Sequence, residues 1–596
     1  MSSPPALPTL AHPHHRSPMD RVPTEVLEDL LLRASAEVSL TLPPSIGRSA
    51  SPVPPFAALA LSWVCRRWKA ITLAKAEFWT PPVIEIVLSA YESKYRDPMA
   101  DPEQDIWDGE AKVKEHLNKH ARSVANAVAV LRCYLERSKS TPLPYVKFCC
   151  PMNDEARSTW ETSVGDIVRV LAPTLPRWKR CLLPPVLANN LARLAQGAQP
   201  LLIERVEIGY TMHEFLHVYS DVFAHAPRLR SYEGPIDPGV VLPWSQLTDL
   251  TITTFARIND VLAVMRRCPN LVTLGVCACE DERFMPPLRF DIQLPHLRVL
   301  RAHITKGPVL SRIFLCLTAP ELQEIEVVGK GATEPFAHLQ DAAGCVNMHW
   351  PKDAFADMLR RSEQCATSSQ PECTIRALRL KNLYLPKSHI PVLLEQLPHL
   401  HELELWKTCY LEKRASEKNG REKRTSEKSR HGHGEKNHHV LALDNSILRG
   451  MTAGRGSGAT AGKGSRRSAR RASLPDSTTP ALPESTTPAL PGSTTPDLLP
   501  ELRILRLAGA PSINWSLLVD MVKSRTDPPL ECLELVLTDE AADLDAETEG
   551  RLKEILGEKG FSCRRSFPIK IEPWKPSSYV QASDFGTASS AMASNS

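Results

Sequence analysis

The residues most suggestive of catalysis are His213, Glu214 and His217, which form the sequence His-Glu-x-x-His. On a helix, two such histidines can bind one zinc ion while the glutamate acts as the general base of a peptidase. No suitable third ligand follows, because the nearest candidate, Glu233, lies in a Gly- and Pro-containing stretch that cannot form a helix. The apolar residues between 215 and 223 define a helix face opposite both histidines. The histidines are therefore interpreted as solvent-facing, and a zinc metallopeptidase is the remote alternative.

The remaining reactive residues form no recognisable catalytic or metal-binding pattern. The 15 cysteines lack the paired spacing of a zinc or disulfide framework. The sequence contains no phosphate-binding glycine loop, no nucleophile elbow and no defensible cysteine–histidine pairing. We therefore expect a protein without catalytic residues, bound metal or cofactor, which binds other proteins.

Charge and hydropathy favour an intracellular protein that binds neither nucleic acid nor membrane. The formal net charge is +4, yet 16 Lys+Arg against 6 Asp+Glu lie between Leu411 and Pro475, so the rest of the chain carries 4 − 10 = −6. No run of apolar residues approaches the ~18 that a membrane span requires. The scattered cysteines suit a reducing compartment, and we expect a cytoplasmic or nuclear location, or both.

One short pattern, apolar-x-x-apolar-x-apolar, returns along the chain from residue 144 onward. Its last two apolar positions are two residues apart and therefore point to the same face of a short strand. Amphipathic helices are predicted between the copies. The clearest copies begin at Leu271, Leu297, Leu322, Ile375, Leu400, Leu502 and Leu530, and weaker copies begin at Trp178, Ile203, Leu229 and Leu247.

A strand plus a helix every 20–29 residues is the signature of leucine-rich repeats, whose units bury their apolar faces by stacking on their neighbours. The predicted fold class is therefore α/β, an irregular leucine-rich repeat solenoid. The interval between Leu322 and Ile375 is long enough for two repeats. The interval between Leu400 and Leu502 contains an insert of low complexity, for which we expect disorder.

The N-terminal region resembles an F-box. The resemblance rests on an opening Val22-Pro23-Thr24-Glu25-Val26-Leu27, on Trp63-Val64-Cys65-Arg66-Arg67-Trp68 after a Pro-rich loop over residues 39–55, and on a closing Phe78-Trp79. The arrangement is similar to the many F-box proteins of mushroom-forming fungi, in which a short box precedes leucine-rich repeats. It implies three short helices that bind a Skp-type adaptor and, through it, a cullin.

The resemblance and the repeats together define the expected domains. They are a disordered leader (1–20), an F-box-like helical domain with its Pro/Ser-rich internal loop (21–82), a helical connector (83–143) with a helix over 111–137, leucine-rich repeats (144–410), the disordered insert (411–498), final repeats (499–576) and a disordered tail (577–596).

Two sets of partner-binding residues follow. The F-box-like set consists of Val22, Pro23, Val26, Leu27, Leu30, Leu59, Leu61, Val64, Trp68, Ile71 and Trp79. The second set comprises polar residues expected on the concave face of the repeats, where a target protein would bind: Thr273, Arg301, Glu324, Arg379, Glu404, Arg506 and Glu534. The predicted function is that of a non-catalytic substrate-recognition subunit of a Skp–cullin–F-box ubiquitin ligase. The alternative is a leucine-rich repeat scaffold unconnected to ubiquitin.

Overall fold

A computed structural model describes most of the chain in separate stretches. The described residues are 21–36, 38–42, 57–87, 106–149, 165–195, 197–209, 221–236, 240–279, 291–304, 307–329, 346–347, 350–365, 374–385, 389–406, 409–410, 440–441, 445–452, 499–509, 514–525, 528–537 and 544–565. The predicted leader, the predicted tail and the His213–His217 segment lie outside them.

The chain divides into two compact units, the first extending to Thr254 and the second beginning at Phe255. The predicted boundaries at residues 82 and 143 therefore both fall inside the first unit. Within the described residues, no helix is long and apolar enough to span a membrane.

The first three helices of the first unit are formed by the F-box-like sequence itself. The helices of this unit are α1 (Thr24–Ala36), α2 (Ala57–Val64), α3 (Arg66–Ala74), α4 (Ile106–Arg137), α5 (165–171) and α6 (Pro185–Leu194), with short 3-10 helices at Ala76–Trp79, Ala172–Arg177 and Trp244–Gln246. Helix α4 confirms the helix predicted over 111–137, and its apolar residues Val124, Val128, Leu131 and Leu135 are buried.

The strands of the first unit pair in parallel and in chain order. They are β1 (Leu40–Leu42), β2 (Ile84–Val87), β3 (Leu143–Cys149), β4 (Trp178–Leu183), β5 (Arg205–Ile208), β6 (Ser231–Gly234) and β7 (Asp249–Arg257). Strand β1 lies inside the stretch predicted as a loop over 39–55, and it pairs with β2 through Leu40 and Ile84. The F-box-like segment thus contributes a strand to the sheet of the first unit.

The second unit repeats one arrangement, in which each strand pairs in parallel with the strand of the next unit of sequence. Its main sheet runs through β8 (Thr273–Cys279), β10 (Val299–Ile304), β12 (Glu324–Gly329), β14 (Ala377–Lys381), β16 (Glu402–Trp406), β19 (Ile504–Gly509), β20 (Cys532–Leu537) and β21 (Phe561–Arg565). Short strands form two smaller sheets: β9 (Ile292–Gln293) with β11 (Leu317–Thr318), and β13 (Val346–Asn347), β15 (Leu383–Tyr384), β17 (Cys409–Tyr410) and β18 (Val440–Leu441).

The helices of the second unit alternate with these strands. They are α7 (Ile258–Arg267), α8 (Gly307–Cys316), α9 (Lys352–Cys365), α10 (His389–Glu395), α11 (Asn445–Met451), α12 (Trp515–Ser524) and α13 (Ala546–Gly560). The apolar stripe predicted for α7 is confirmed, since Ile258, Val261, Leu262 and Met265 are buried.

The repeated apolar pattern forms the core of the second unit. All three apolar positions of each of the seven clear copies are buried, from Leu271 in the first to Leu535 in the last. The intervening residue points to the opposite face of the sheet. The structure therefore confirms a mixed α/β fold with a large parallel sheet, in which strands and helices alternate.

Two predicted intervals differ from the sequence-based expectation. Two repeats were predicted between Leu322 and Ile375, but β12 pairs directly with β14, so no strand of the main sheet lies between them, and the described residues of this stretch contain helix α9. The insert predicted over 411–498 contains β18 and helix α11, whose side chains Ile447, Leu448 and Met451 are buried. Because β16 pairs with β19, α11 is the helix of a single unit whose sequence is lengthened on both sides of that helix.

Candidate partner-binding surfaces

The most distinctive residues of the F-box-like sequence, Cys65 and Arg67, stabilise α3 and its contact with α1. Cys65 caps α3, and its Sγ accepts a hydrogen bond from the Trp68 amide at 3.5 Å. Arg67 donates to the Val22 carbonyl oxygen at 2.5 Å and to the hydroxyl of Thr24 at 3.2 Å, at the start of α1. Cys65 therefore starts α3 directly after α2, and Arg67, in the first turn of α3, connects that helix to the start of α1.

Trp79 belongs to the core of the first unit. Its Nε1 donates to the Thr72 carbonyl oxygen at 2.7 Å, and its ring packs edge-on against Tyr134 with centroids 5.2 Å apart. The guanidinium of Arg137 lies 4.5 Å from the Trp79 ring centroid. Leu27 and Ile71 are buried as well. The structure therefore differs from the prediction for these three residues, which are internal packing residues and present no surface to a partner.

Tyr134 joins α4 to α2 in the same core. Burial raises the pKa of Tyr134 to about 12, although hydrogen bonds with the backbone of Ala58 and Leu59 act in the opposite direction. The tyrosine therefore stays protonated at neutral pH. It fixes α2 against the long helix α4.

Other apolar residues of this region are exposed. Five of the eight large apolar side chains that are exposed among the described residues lie on α1, α2 and α3. We call them the α1–α3 surface: Val26, Leu30, Trp63, Val64 and Leu73. Trp63 is 79% exposed and Leu30 is 52% exposed. Several large apolar side chains exposed on three consecutive short helices indicate a surface for a partner.

The remaining predicted F-box-like residues are either exposed or half-buried. Pro23, Val26, Leu30 and Val64 are exposed, whereas Val22, Leu59, Leu61 and Trp68 are half-buried. Sequence reasoning did not select Trp63 and Leu73 as binding residues. The sequence of α2, Ala-Ala-Leu-Ala-Leu-Ser-Trp-Val, is apolar on all sides and offers no periodicity from which its exposed face could be deduced.

A second surface is a row of charged side chains across the main sheet of the second unit. Strand pairing aligns one residue from each of six adjacent strands, and we call this row the charge ladder. Its members alternate strictly in sign: Arg301, Glu326, Arg379, Glu404, Arg506 and Glu534.

Two of the seven predicted residues, Thr273 and Glu324, lie outside the ladder. Thr273 aligns with Val299 and Glu324, in the row that adjoins the ladder. The ladder position on β8 is Gly275, and on β12 it is Glu326. The other five predicted residues lie together in the ladder: Arg301, Arg379, Glu404, Arg506 and Glu534. That they bind a target stays a prediction.

Most charges of the ladder pair with one another and with the flanking rows. Arg379 lies at the centre, with its Nη1 3.0 Å from Glu324 Oε2, its Nε 3.1 Å from Glu402 Oε1 and its Nε 3.7 Å from Glu404 Oε2. Lys381, in the next row, bridges Glu326 at 2.9 Å and Glu404 at 3.2 Å.

The ends of the ladder are held more loosely. Arg301 Nε lies 3.6 Å from Glu326 Oε2, and the Arg301 side chain is 48% exposed. At the other end, Arg506 pairs with Glu402, and its Nε lies 3.4 Å from Glu534 Oε2.

Pairing governs the ionisation of the ladder. Burial alone would raise the pKa of Glu326, but the hydrogen bond and charge of Lys381, with His303 and Arg301, lower it. Burial opposes the charge on Arg379 and Lys381, yet their carboxylate partners raise the pKa of both. Glu326, Arg379 and Lys381 are therefore charged at neutral pH.

The first unit carries a smaller charged cluster that sequence reasoning missed. Arg205 Nε lies 2.7 Å from Glu207 Oε1, and Arg205 Nη2 lies 3.0 Å from Glu233 Oε2. The hydroxyl of Tyr145 donates to Glu207 at 3.3 Å. Burial raises the pKa of Glu207, Arg205 opposes this effect, and Glu233 adds to it. Glu233, the carboxylate considered above as a zinc ligand, is thus the partner of an arginine.

No group of three or more His, Cys, Asp or Glu among the described residues is arranged to hold a metal ion. Within this part of the chain, the groups suited to binding are the α1–α3 surface and the charge ladder. No protein-family model matches the chain, and a search of curated proteins gives no match either.

Proposed function

We propose that the protein is the target-binding subunit of a Skp–cullin–F-box ubiquitin ligase. In this role the α1–α3 surface binds a Skp-type adaptor, which connects the protein to a cullin, and the charged face of the second unit binds the target. The protein itself forms or breaks no bond. It raises the effective concentration of the target near the enzyme that carries ubiquitin.

The observation that carries the proposal is the α1–α3 surface. Val26 and Leu30 are four residues apart and lie on one flank of α1, while Trp63 and Val64 end α2. Burying large side chains such as these contributes about 1.5–3 kcal/mol each. Trp63 has the size and exposure of the aromatic residues that dominate protein interfaces.

The repeated strand–helix units support the second half of the proposal. The pattern has the length and periodicity of leucine-rich repeats, and every apolar position of the clear copies lies in the core. The residues between them lie on the other face of the sheet, where a target would contact the partly exposed charges; of the six ladder residues, Glu404 is buried.

The alternative function is a protein-binding scaffold without a link to ubiquitin. One observation favours it: β1 pairs with β2, which pairs with β3, so the F-box-like segment also caps the sheet of the first unit. A cap needs Leu27, Ile71 and Trp79 in its core, but it does not need Trp63 or Leu30 at its surface. Adaptor binding therefore separates the two functions.

The experiment is size-exclusion chromatography of the full chain with a fungal Skp-type adaptor. We expect a stable complex with the wild-type chain and none with the double variant Trp63→Asp/Leu30→Asp. Leu315→Asp is the matched control, since Leu315 is a 51% exposed leucine on α8 in the other unit. Circular dichroism of all variants verifies that they fold. If the wild-type chain is folded but forms no complex, the ubiquitin-ligase function is rejected and the scaffold function remains.

A further inference from the structure

The charge ladder has a spatial period that restricts what can bind along it. Six adjacent strands each contribute one charge, and the signs alternate from Arg301 to Glu534. Neighbouring strands lie about 4.8 Å apart, so the sign reverses every ~4.8 Å and the row is about 24 Å long. A partner complementary to the whole row must reverse the sign of its own charges at nearly the same interval.

An α-helix lying across the strands meets this requirement. Residues three and four apart share one helix face, and at 1.5 Å per residue they are about 4.5 and 6.0 Å apart along the axis. Alternating these two steps gives about 5.25 Å, so over five intervals the helix drifts from the ladder by only about 2 Å. An extended segment advances about 6.8 Å between residues on one face, so its charges no longer face the opposite charges of the ladder after two or three strands.

From this agreement we infer that the charge ladder binds a helix of the target whose acidic and basic residues alternate every three to four positions on one face. The inference rests on the proposed function, because it specifies the class of target that the second unit accepts. About 16 residues of helix cover the row.

The ladder is pre-organised for such a helix. Arg379 and Lys381 are fixed by several carboxylates, so their side chains lose little further freedom when a partner binds. A guanidinium has five N–H groups in a planar fork, which leaves the arginines of the row able to donate to a further carboxylate. The end residue Arg301 has one ladder carboxylate beside it and is half exposed.

The flanking row supplies apolar contact. Trp406 aligns with Lys381 in the register, one position beyond the ladder, and is half-buried. An aromatic ring beside alternating charges gives a helix both an apolar anchor and a fixed register.

The test measures binding of synthetic 18-residue helical peptides to the full-length protein by fluorescence anisotropy. The alternating peptide carries three glutamates and three lysines that alternate in sign every three to four residues on one face. The block peptide has the same composition, with the glutamates in one half and the lysines in the other. A third peptide keeps the alternating charges but contains two prolines that break the helix.

We expect the alternating peptide to bind at least about tenfold more tightly than either control, with an affinity that falls as salt rises. Arg301→Ala and Glu534→Ala, at the two ends of the ladder, should each weaken the alternating peptide about threefold and leave the block peptide unchanged. Both substitutions keep the pairs of Arg379 and Lys381 intact, and Leu315→Asp serves as the control.

Equal affinities for the three peptides, or no binding of the alternating peptide up to about 1 mM, would overturn the inference. Tighter binding of the proline-containing peptide would instead identify an extended partner, and it would also reject the helix. Adaptor binding by the same preparations is scored separately, so failure of the ladder inference is distinguishable from failure of the proposed function.

Discussion

Arg379 is predicted to be the most important single charge of the second unit. Its guanidinium contacts carboxylates from two strands, Glu324 on β12 and both Glu402 and Glu404 on β16. Substitution by methionine keeps the apolar stem and removes the charge. Glu324 is then left to water, whereas Glu402 retains Arg506 and Glu404 retains Lys381.

The expected cost follows from these contacts. Hydrogen bonds to charged groups contribute about 1.5–3 kcal/mol, and exposed ion pairs contribute about 0–1 kcal/mol. The Arg379 side chain is 23% exposed, so its contribution lies between these two ranges. The ion pairs that Glu402 and Glu404 keep with Arg506 and Lys381 reduce the loss of stability. We expect Arg379→Met to lower the free energy of opening of β14 and β16 by about 2 kcal/mol.

The assay is native-state hydrogen exchange of the full chain, followed by mass spectrometry of fragments covering residues 377–381 and 402–406. A loss of about 2 kcal/mol corresponds to exchange about 30-fold faster in these strands. Arg301→Met is the matched control, because that side chain is 48% exposed and its ladder carboxylate lies 3.6 Å away. It should cost less than about 0.5 kcal/mol in its own strand, β10. Equal effects of the two substitutions would show that the ion pairs of Arg379 do not stabilise these strands more than the single pair of Arg301.

Two further predictions concern acid sensitivity and close packing. The folded-state pKa of Glu326 is lowered, so its stabilising contribution is present above its unfolded pKa of about 4.3 and is lost as pH falls through the folded pKa. Urea denaturation at pH 7 and pH 3 should therefore show a smaller acid-induced loss of stability in Glu326→Gln than in the wild type, and an unchanged loss would contradict the role of Lys381. A Cβ added at Gly329 would lie 2.2 Å from the Asn382 carbonyl oxygen, so Gly329→Ala should destabilise by about 1–3 kcal/mol in thermal unfolding. The control is Gly550→Ala on helix α13, where an added Cβ has no other atom within 4 Å. This substitution should be neutral or should stabilise the protein by up to about 1 kcal/mol.

The sequence predicted the parts of the fold that depend on local periodicity. Each copy of the repeated pattern placed its three apolar residues in the core, because spacings of two and three residues define one face of a strand and the turn before it. The apolar face of α4 was predicted in the same way, since Val124, Val128 and Leu131 recur at helical spacing and are buried.

Features that depend on pairing between distant segments were not accessible in this way. Alternation fixes the face on which Glu324 and Glu326 lie, but only the register with β14 shows which of them joins the ladder. The ion pair between Arg205 on β5 and the buried Glu233 on β6 likewise requires two strands to align.

The F-box-like residues show the same limit for helices. Leu27 and Leu30 are both apolar residues of α1, yet the first is buried and the second exposed, because neighbouring elements cover only one flank of the helix. Trp79 and Trp63 differ for the same reason. Trp79 was selected from the sequence and Trp63 was passed over, and only the fold assigns the first to the core and the second to the surface.

Binding of a Skp-type adaptor to the α1–α3 surface is tested most directly by hydrogen exchange of the full chain with and without the adaptor. We expect slower exchange in residues 24–36 and 57–74 when the adaptor is present, with no change in strands β8 to β20. Unchanged exchange in α1, α2 and α3 under conditions in which the adaptor is folded and in excess, or slower exchange confined to the second unit, would contradict binding at this surface.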